Sequence, residues 1–247
     1  MNDPLRVRTT VIGLVSFAAA EEQMLLAAAS RDGAQRGSPA RWAAGPLVAH
    51  NAEFRDQQVQ RLAAIRDGRI PPDFAEIDHA SAAVYRRYSE QPAGAAADAS
   101  RRTAQDLVAG LSAVTDEDLL DPGLHPWLNG RQLWLQIIVR GFWHPTGHLG
   151  DYYIARDQPG RAVALQAQAV SLAGYLDAPD PARGMACYNL ACAHARDGRP
   201  DDALDALSEA VARNAQLRGN AARDGDLRSL RDGGRLDLLL EIGRAHV

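Results

Sequence analysis

The chain has 247 residues, enough for one large core or two modest ones. All 27 basic residues are arginine, set against 31 acidic ones for a formal net charge of −4. A mildly acidic chain without a basic block is not built for nucleic acid, and the absence of lysine removes a phosphate-loop lysine and a Schiff-base lysine together. Cys187 and Cys192 lie five apart on an expected helix, hence on different faces. That spacing fits neither a CxxC motif nor a disulfide framework, and haem, iron–sulfur and structural zinc-finger sites are not expected. The cysteines read as small buried hydrophobes in a reducing, cytoplasmic compartment.

The pattern is helical almost throughout, so the expected class is all-α. Arg6 and Arg8 before "VIGLVSFAAA" mimic a short secretory signal. The competing reading is a first helix over about residues 10–30, capped by Thr10, because apolar spacing resumes at Met24, Leu25 and Leu26 after the charges of "EE". No uninterrupted run reaches the roughly 18 apolar residues of a membrane span, so no membrane partner is expected. A polar loop, "RDGAQRGSPARW", leads to a second helix at about 46–66, and the paired prolines of "DGRIPPDF" then break the chain. A short helix follows at about 76–89. A third ends near Val114, Thr115 signals a new helix start, and a fourth runs over about 131–156. Four main helices and one long crossover make a four-helix bundle over residues 1–158.

From Pro159 to about residue 240 the character changes. "GMACYNLACAHARDGRPDDALDALSEAVARN" reads as two helices around a Gly-containing turn, with small residues at Ala191, Ala203 and Ala210. This segment resembles a tetratricopeptide repeat (TPR), whose paired helices approach closely where they cross. "DQPGRAVALQAQAV" resembles a second helix of the same unit, and "DGDLRSLRD" a closing segment. Two units are too few for an independent solenoid. The resemblance implies recruitment of a protein partner or self-association. The last seven residues, "EIGRAHV", read as a non-native scar and carry no functional expectation.

The chemistry gathers at three histidines. His144 and His148, in "GFWHPTGHLGDYY", stand four apart, which on a continuous helix turns both rings to one side. His50 lies on the second helix, on an apolar stripe with Leu47 and Phe54. Glu53 follows His50 by three residues and Asp151 follows His148 by three, so each carboxylate can orient an imidazole, serve as a general base or ligate a metal itself. Arg140, one turn before His144, can hold an anionic group or form a salt bridge; Tyr152 can line a pocket or pack in the core. Pro145 deprives the Gly141 carbonyl of its partner, and Gly141 is the residue that best tolerates the crowding. Either the fourth helix kinks there, or it stops at Trp143 and restarts at Pro145. The histidines themselves are either a metal clamp or satisfied residues at a helix boundary.

"RWAAGPLVAHNAEF" and "FWHPTGHLGDYY" resemble the two signatures of the DinB-like superfamily, closest to its colibactin-resistance type (ClbS/DfsB), over about residues 8–156. The resemblance implies an up-up-down-down four-helix bundle in which His50, His144 and His148 ligate a divalent metal, with zinc, nickel and ferrous iron all compatible. Gly45-Pro46 and the intruding Pro145 depart from the family pattern. Three imidazoles leave coordination positions open for chemistry. The expected activity is hydrolysis of a small electrophile or transfer of a low-molecular-weight thiol to it, as in detoxification or self-resistance, with Glu53 or Asp151 as base. The alternative is a non-catalytic scaffold acting through its repeat segment.

Overall fold

The computed structural model describes residues 3–31, 37–38, 41–74, 85–87, 89 and 93–242. These residues are all-α; the one extended pairing among them is an isolated bridge between Ser38 and Arg41. The expected helix at 76–89 falls for the most part outside them, as do His79 and His246. The chain divides into two compact units, Met1–His148 and Leu149–Val247. The sequence reading sets the boundary after residue 158; the division falls earlier, inside the helix His144–Ile154.

The first unit contains α1 (Pro4–Arg31), α2 (Ala44–Arg66), α3 (Ala93–Leu111), α4 (Asp116–Leu120) and a 3₁₀ turn at Pro126–Leu128. A continuous helical segment follows: α5 (Leu133–Ile138), a π turn (Val139–Trp143) and α6 (His144–Ile154). α1 begins well before Thr10, because the Asp3 carboxylate accepts the Leu5 N–H and Pro4 occupies a favoured first position. Thr10 is fully buried rather than capping. Arg8, which resembles part of a leader, donates to the carbonyls of Leu111 and Val114 and pairs with Asp116, tying off the C-terminal end of α3. By length and composition alone α1 suffices to cross a membrane, as core helices of water-soluble proteins also can. It carries, however, a fully buried carboxylate, Glu22. Thr115 starts α4 as the sequence suggests, through a reciprocal capping box with Asp118.

α2 is buried on nearly all sides and presents two different lines of residues. Val48, Asn51, Arg55, Gln58 and Leu62 form one line. Within it Arg55 makes a bidentate pair with Glu22 at 3.0 and 2.5 Å, and Ser100 closes the group by donating to Glu22 at 2.6 Å. Leu47, His50, Phe54 and Arg61 form the other line, at helical intervals that keep them on one face.

The passage around Pro145 is continuous, which removes the expected stop and restart. The helix neither stops at Trp143 nor breaks: it widens into the π turn, and the His144 N–H reaches the Val139 carbonyl. A widened turn lets the chain pass a residue that cannot donate to the preceding turn. Gly141 has a further reason to be glycine. A Cβ there would stand 2.9 Å from Val15 Cγ2 and 3.2 Å from Leu107 Cδ2, so the close approach of α1 and α3 excludes a side chain. Gly141→Ala should therefore lower stability by about 1–3 kcal/mol through overpacking. Urea unfolding measures it, and an unchanged midpoint would mean that the two neighbours yield freely.

In the second unit α7 (Pro159–Tyr175), α8 (Asp180–Arg196) and α9 (Pro200–Arg213) pack in sequence, α8 against both neighbours. Ala162, Ala169, Ala191, Ala203 and Ala210 are fully buried. A Cβ on Gly184 would come within 3.0 Å of the Ala210 carbonyl oxygen, which shows how closely α8 and α9 approach. Short elements complete the unit: α10 (Leu217–Ala221), a 3₁₀ turn at Gly225–Leu227, α11 (Arg228–Asp232) and α12 (Arg235–Ile242). Asp224 holds that 3₁₀ turn in place, accepting from the Asp226 N–H at 2.9 Å and from the Tyr188 hydroxyl of α8 at 2.8 Å.

Candidate metal centre

The three histidines meet. His50 Nε2 lies 3.0 Å from His144 Nε2 and 3.2 Å from His148 Nε2, and one nitrogen from each ring falls within 4.8 Å of the others. α2 supplies His50 from the face that also bears Phe54, and the first two turns of α6 supply the pair. His50 is held edge-on between Trp42, at 5.2 Å between ring centroids, and Phe54, at 4.7 Å; His144 also meets Phe54, at 5.0 Å. The rings are thus fixed by aromatic packing. The buried Nδ1 of His50 has no hydrogen-bond partner among the described residues.

Hydrogen bonding between the rings does not satisfy this arrangement. A neutral imidazole nitrogen offers either one N–H or one lone pair. His50 Nε2 can therefore serve one of its two neighbours and must face the other unfavourably. A cation accepts all three lone pairs at once. The separations agree with that role, since nitrogens about 2.0–2.1 Å from one ion stand about 2.9–3.4 Å apart in octahedral to tetrahedral arrangements.

Protonation states are also right for ligation. Burial, followed by the fields of His148 and Arg140, lowers the His50 pKa to about 3. Burial and the charges of His148, His50 and Arg140 lower that of His144 to about 2. Both rings are neutral near pH 7, as metal ligands must be. In metal-free protein the unfolded chain takes up these protons near 6.5 while the folded chain waits until about 3 and about 2. The unfolded state binds more protons across that interval, so stability falls as pH drops below about 6.5. Urea titrations of chelated protein at about pH 7 and about pH 4.5 should show this loss, and a smaller loss in His144→Phe. Equal losses in the two proteins would contradict the assignment.

The other expected site residues are placed less centrally. Glu53 pairs with Arg87 at 3.0 Å, on the surface. Asp151 belongs to the second unit, where it pairs with Arg196, which also reaches Asp226. Tyr152, likewise in the second unit, lies under the Arg156 guanidinium at 3.5 Å. Among the described residues no carboxylate joins the histidine cluster. Arg140 is at hand: its guanidinium lies 5.2 Å from the Phe54 centroid and its charge acts on His50 and His144.

Two residues without a motif of their own, Arg61 and Trp127, stack on one another, and the Arg61 charge reaches Arg140. Arg61 was legible, since it follows His50 by three full turns of α2; Trp127 sits on a short 3₁₀ turn with no periodic signal. A second cluster, in the second unit, has no sequence motif either. Cys192 Sγ lies 3.8 Å from Asp224 Oδ2, near Asp226 and Asp151. Burial and those acids push the Cys192 thiol well above its ordinary value, and Arg196 balances part of the negative charge. No protein-family model, curated protein or solved structure matches the chain.

Proposed function

We propose that the chain is a metal-dependent enzyme of the DinB-like kind, in which His50, His144 and His148 hold a divalent cation and a small electrophile is disarmed beside it. One observation carries this reading: a nitrogen from each of three imidazoles meets in an apolar, aromatic setting, where the single lone pair or N–H of His50 Nε2 cannot serve both of its neighbours. Such a cation would supply Lewis acidity, with positions left open for reactants. Zinc, nickel and ferrous iron all suit the donor set.

The chain's own part is to hold and to exclude. Trp42 and Phe54 fix the His50 ring and keep water from its back, while the Arg140 charge disfavours protonation of the ligands. Glu53 is the proposed proton acceptor. It lies one turn from His50, and its solvent-exposed pair with Arg87 is weak enough to exchange partners at little cost. Asp151, already engaged by Arg196, has the weaker claim.

Elemental analysis of protein purified without a histidine tag tests the centre. Consumption of a strained epoxide, with and without a low-molecular-weight thiol, tests the chemistry. The expected result is one equivalent of metal and turnover that chelation abolishes; thiol dependence separates S-transfer from hydrolysis. A metal-free protein that leaves the epoxide intact would overturn the proposal and favour a scaffold whose TPR-like segment recruits a partner.

A further inference from the structure

Away from the histidine nitrogens themselves, three N–H donors of the first unit have nothing to donate to. Arg61 Nε, Arg140 Nε and Trp127 Nε1 are buried and lack an acceptor. Arg140 adjoins the centre through Phe54, Arg61 adjoins Trp127, and the Arg61 charge reaches Arg140. Arg140 lies over the Phe54 ring, which His50 and His144 also touch. The Arg61 guanidinium lies 5.0 Å from the centroids of both Trp127 and Phe74. Burial depresses both guanidinium pKa values, and the Arg61 charge lowers that of Arg140 further. Among the described residues neither has a carboxylate at ion-pair distance; only the more distant charge of Asp73 reaches Arg61.

The character of these unmet groups identifies what they would bind. Asn51 and Gln58, buried elsewhere on α2, leave a donor and an acceptor unmet together, a combination that water serves well. Arg61, Arg140 and Trp127 offer donors alone, two of them on permanent cations. A set of that kind selects a ligand that only accepts and is negatively charged. Guanidinium groups match the oxygens of carboxylates and phosphates, and the aromatic rings beneath them match an apolar body.

We propose that Arg61, Arg140 and the Trp127 indole N–H form an oxyanion subsite that receives the carboxylate or phosphate of a small organic molecule, with its apolar part against Phe54, Phe74 and Trp127. This deepens the proposed function by naming the substrate as an anion. Only its placement beside reactive chemistry rests on that function; the binding itself needs no metal.

The test is calorimetric titration of the full chain, metal-loaded and chelated, with benzoate and with phenyl phosphate. Arg61→Gln, Arg140→Gln and Trp127→Phe are titrated alongside, and metal content is measured in each. At least one probe should bind in both states. Its Kd should rise by at least about tenfold in either glutamine variant and severalfold in Trp127→Phe, which keeps the ring and removes the donor. Metal content should not change in Arg61→Gln and Trp127→Phe. Preference for benzoate identifies a carboxylate, and preference for phenyl phosphate a phosphate.

The subsite is overturned if neither probe binds or if the variants bind as tightly as the parent. Binding that disappears on chelation also overturns it, because the anion then sits on the ion and the metal reading survives. Arginine-dependent binding in a protein that holds no metal would sustain the subsite and overturn the enzyme reading. Should a glutamine variant fail to fold by circular dichroism, Arg61→Lys and Arg140→Lys keep the charge and lose the planar fork. They should still weaken binding severalfold, and parent-like affinity in both would again overturn the subsite.

Discussion

His50→Ala is expected to lower affinity for a divalent cation by more than about a hundredfold while the helical circular dichroism spectrum stays unchanged. Loss of an outer-shell partner already costs 10–100-fold, and His50 is the donor that both other rings face. His144 and His148 remain on one helix after the substitution, and two imidazoles spaced by four residues bind a cation weakly without a third ligand from another element. Competition against a coloured chelator gives the number. The space vacated by the ring is bounded by Trp42 and Phe54, so some loss of thermal stability accompanies the change and is not the diagnostic result. Retention of stoichiometric, tight metal in His50→Ala would show that the ion sits elsewhere; the Cys192, Asp224 and Asp226 cluster is the first place to look.

The second large effect concerns the buried pair of Glu22 and Arg55. Both side chains are fully removed from solvent, and Arg55 makes two parallel hydrogen bonds to the carboxylate. Arg55→Met leaves the Glu22 charge buried without its partner and should cost about 3–5 kcal/mol. The double substitution Glu22→Leu, Arg55→Met removes both desolvation penalties and should cost much less than Arg55→Met alone. Ser100 and Thr103 lose their charged partner in the double variant, so some cost remains. Denaturant titration of four proteins (the parent, Glu22→Leu, Arg55→Met and the double variant) decides the matter. Additive single-residue effects would mean that the two groups do not act as one unit.

Much of this architecture can be read from residue order. The helical class follows from apolar spacing, and the bounds of α2 follow from Pro46 near its start and the Asp67-Gly68 turn at its end. The meeting of His50 with the HxxxH pair is suggested by spacing and by family resemblance, though spacing on one element cannot say what faces it. Other features depend on contacts between elements and leave no local trace. Arg8 has no role legible in its own neighbourhood; the carbonyls of Leu111 and Val114 beside it supply one. Gly141 reads as a concession to Pro145 until Val15 and Leu107 are seen to occupy the space of a Cβ. Glu53 and Asp151 share a helical face with their histidines, yet long side chains on the surface turn toward whichever charge is near, here Arg87 and Arg196. The π turn escapes a pattern search because it changes the phase of a helix without changing its composition.

The two lines of residues along α2 have a consequence for how folding and occupancy depend on each other. One line bolts the helix to α1 through Glu22; the other offers His50 to α6. A cation gripped from both helices is a cross-brace, and it adds about 2.7 kcal/mol at a free concentration a hundred times its Kd. Loosening the bolt lets His50 drift away from its two counterparts, and the brace then loses purchase as well. Substitutions at Glu22 or Arg55, out of contact with any substrate, should therefore read out as weaker ion retention, and supplying excess ion should rescue part of the lost melting temperature.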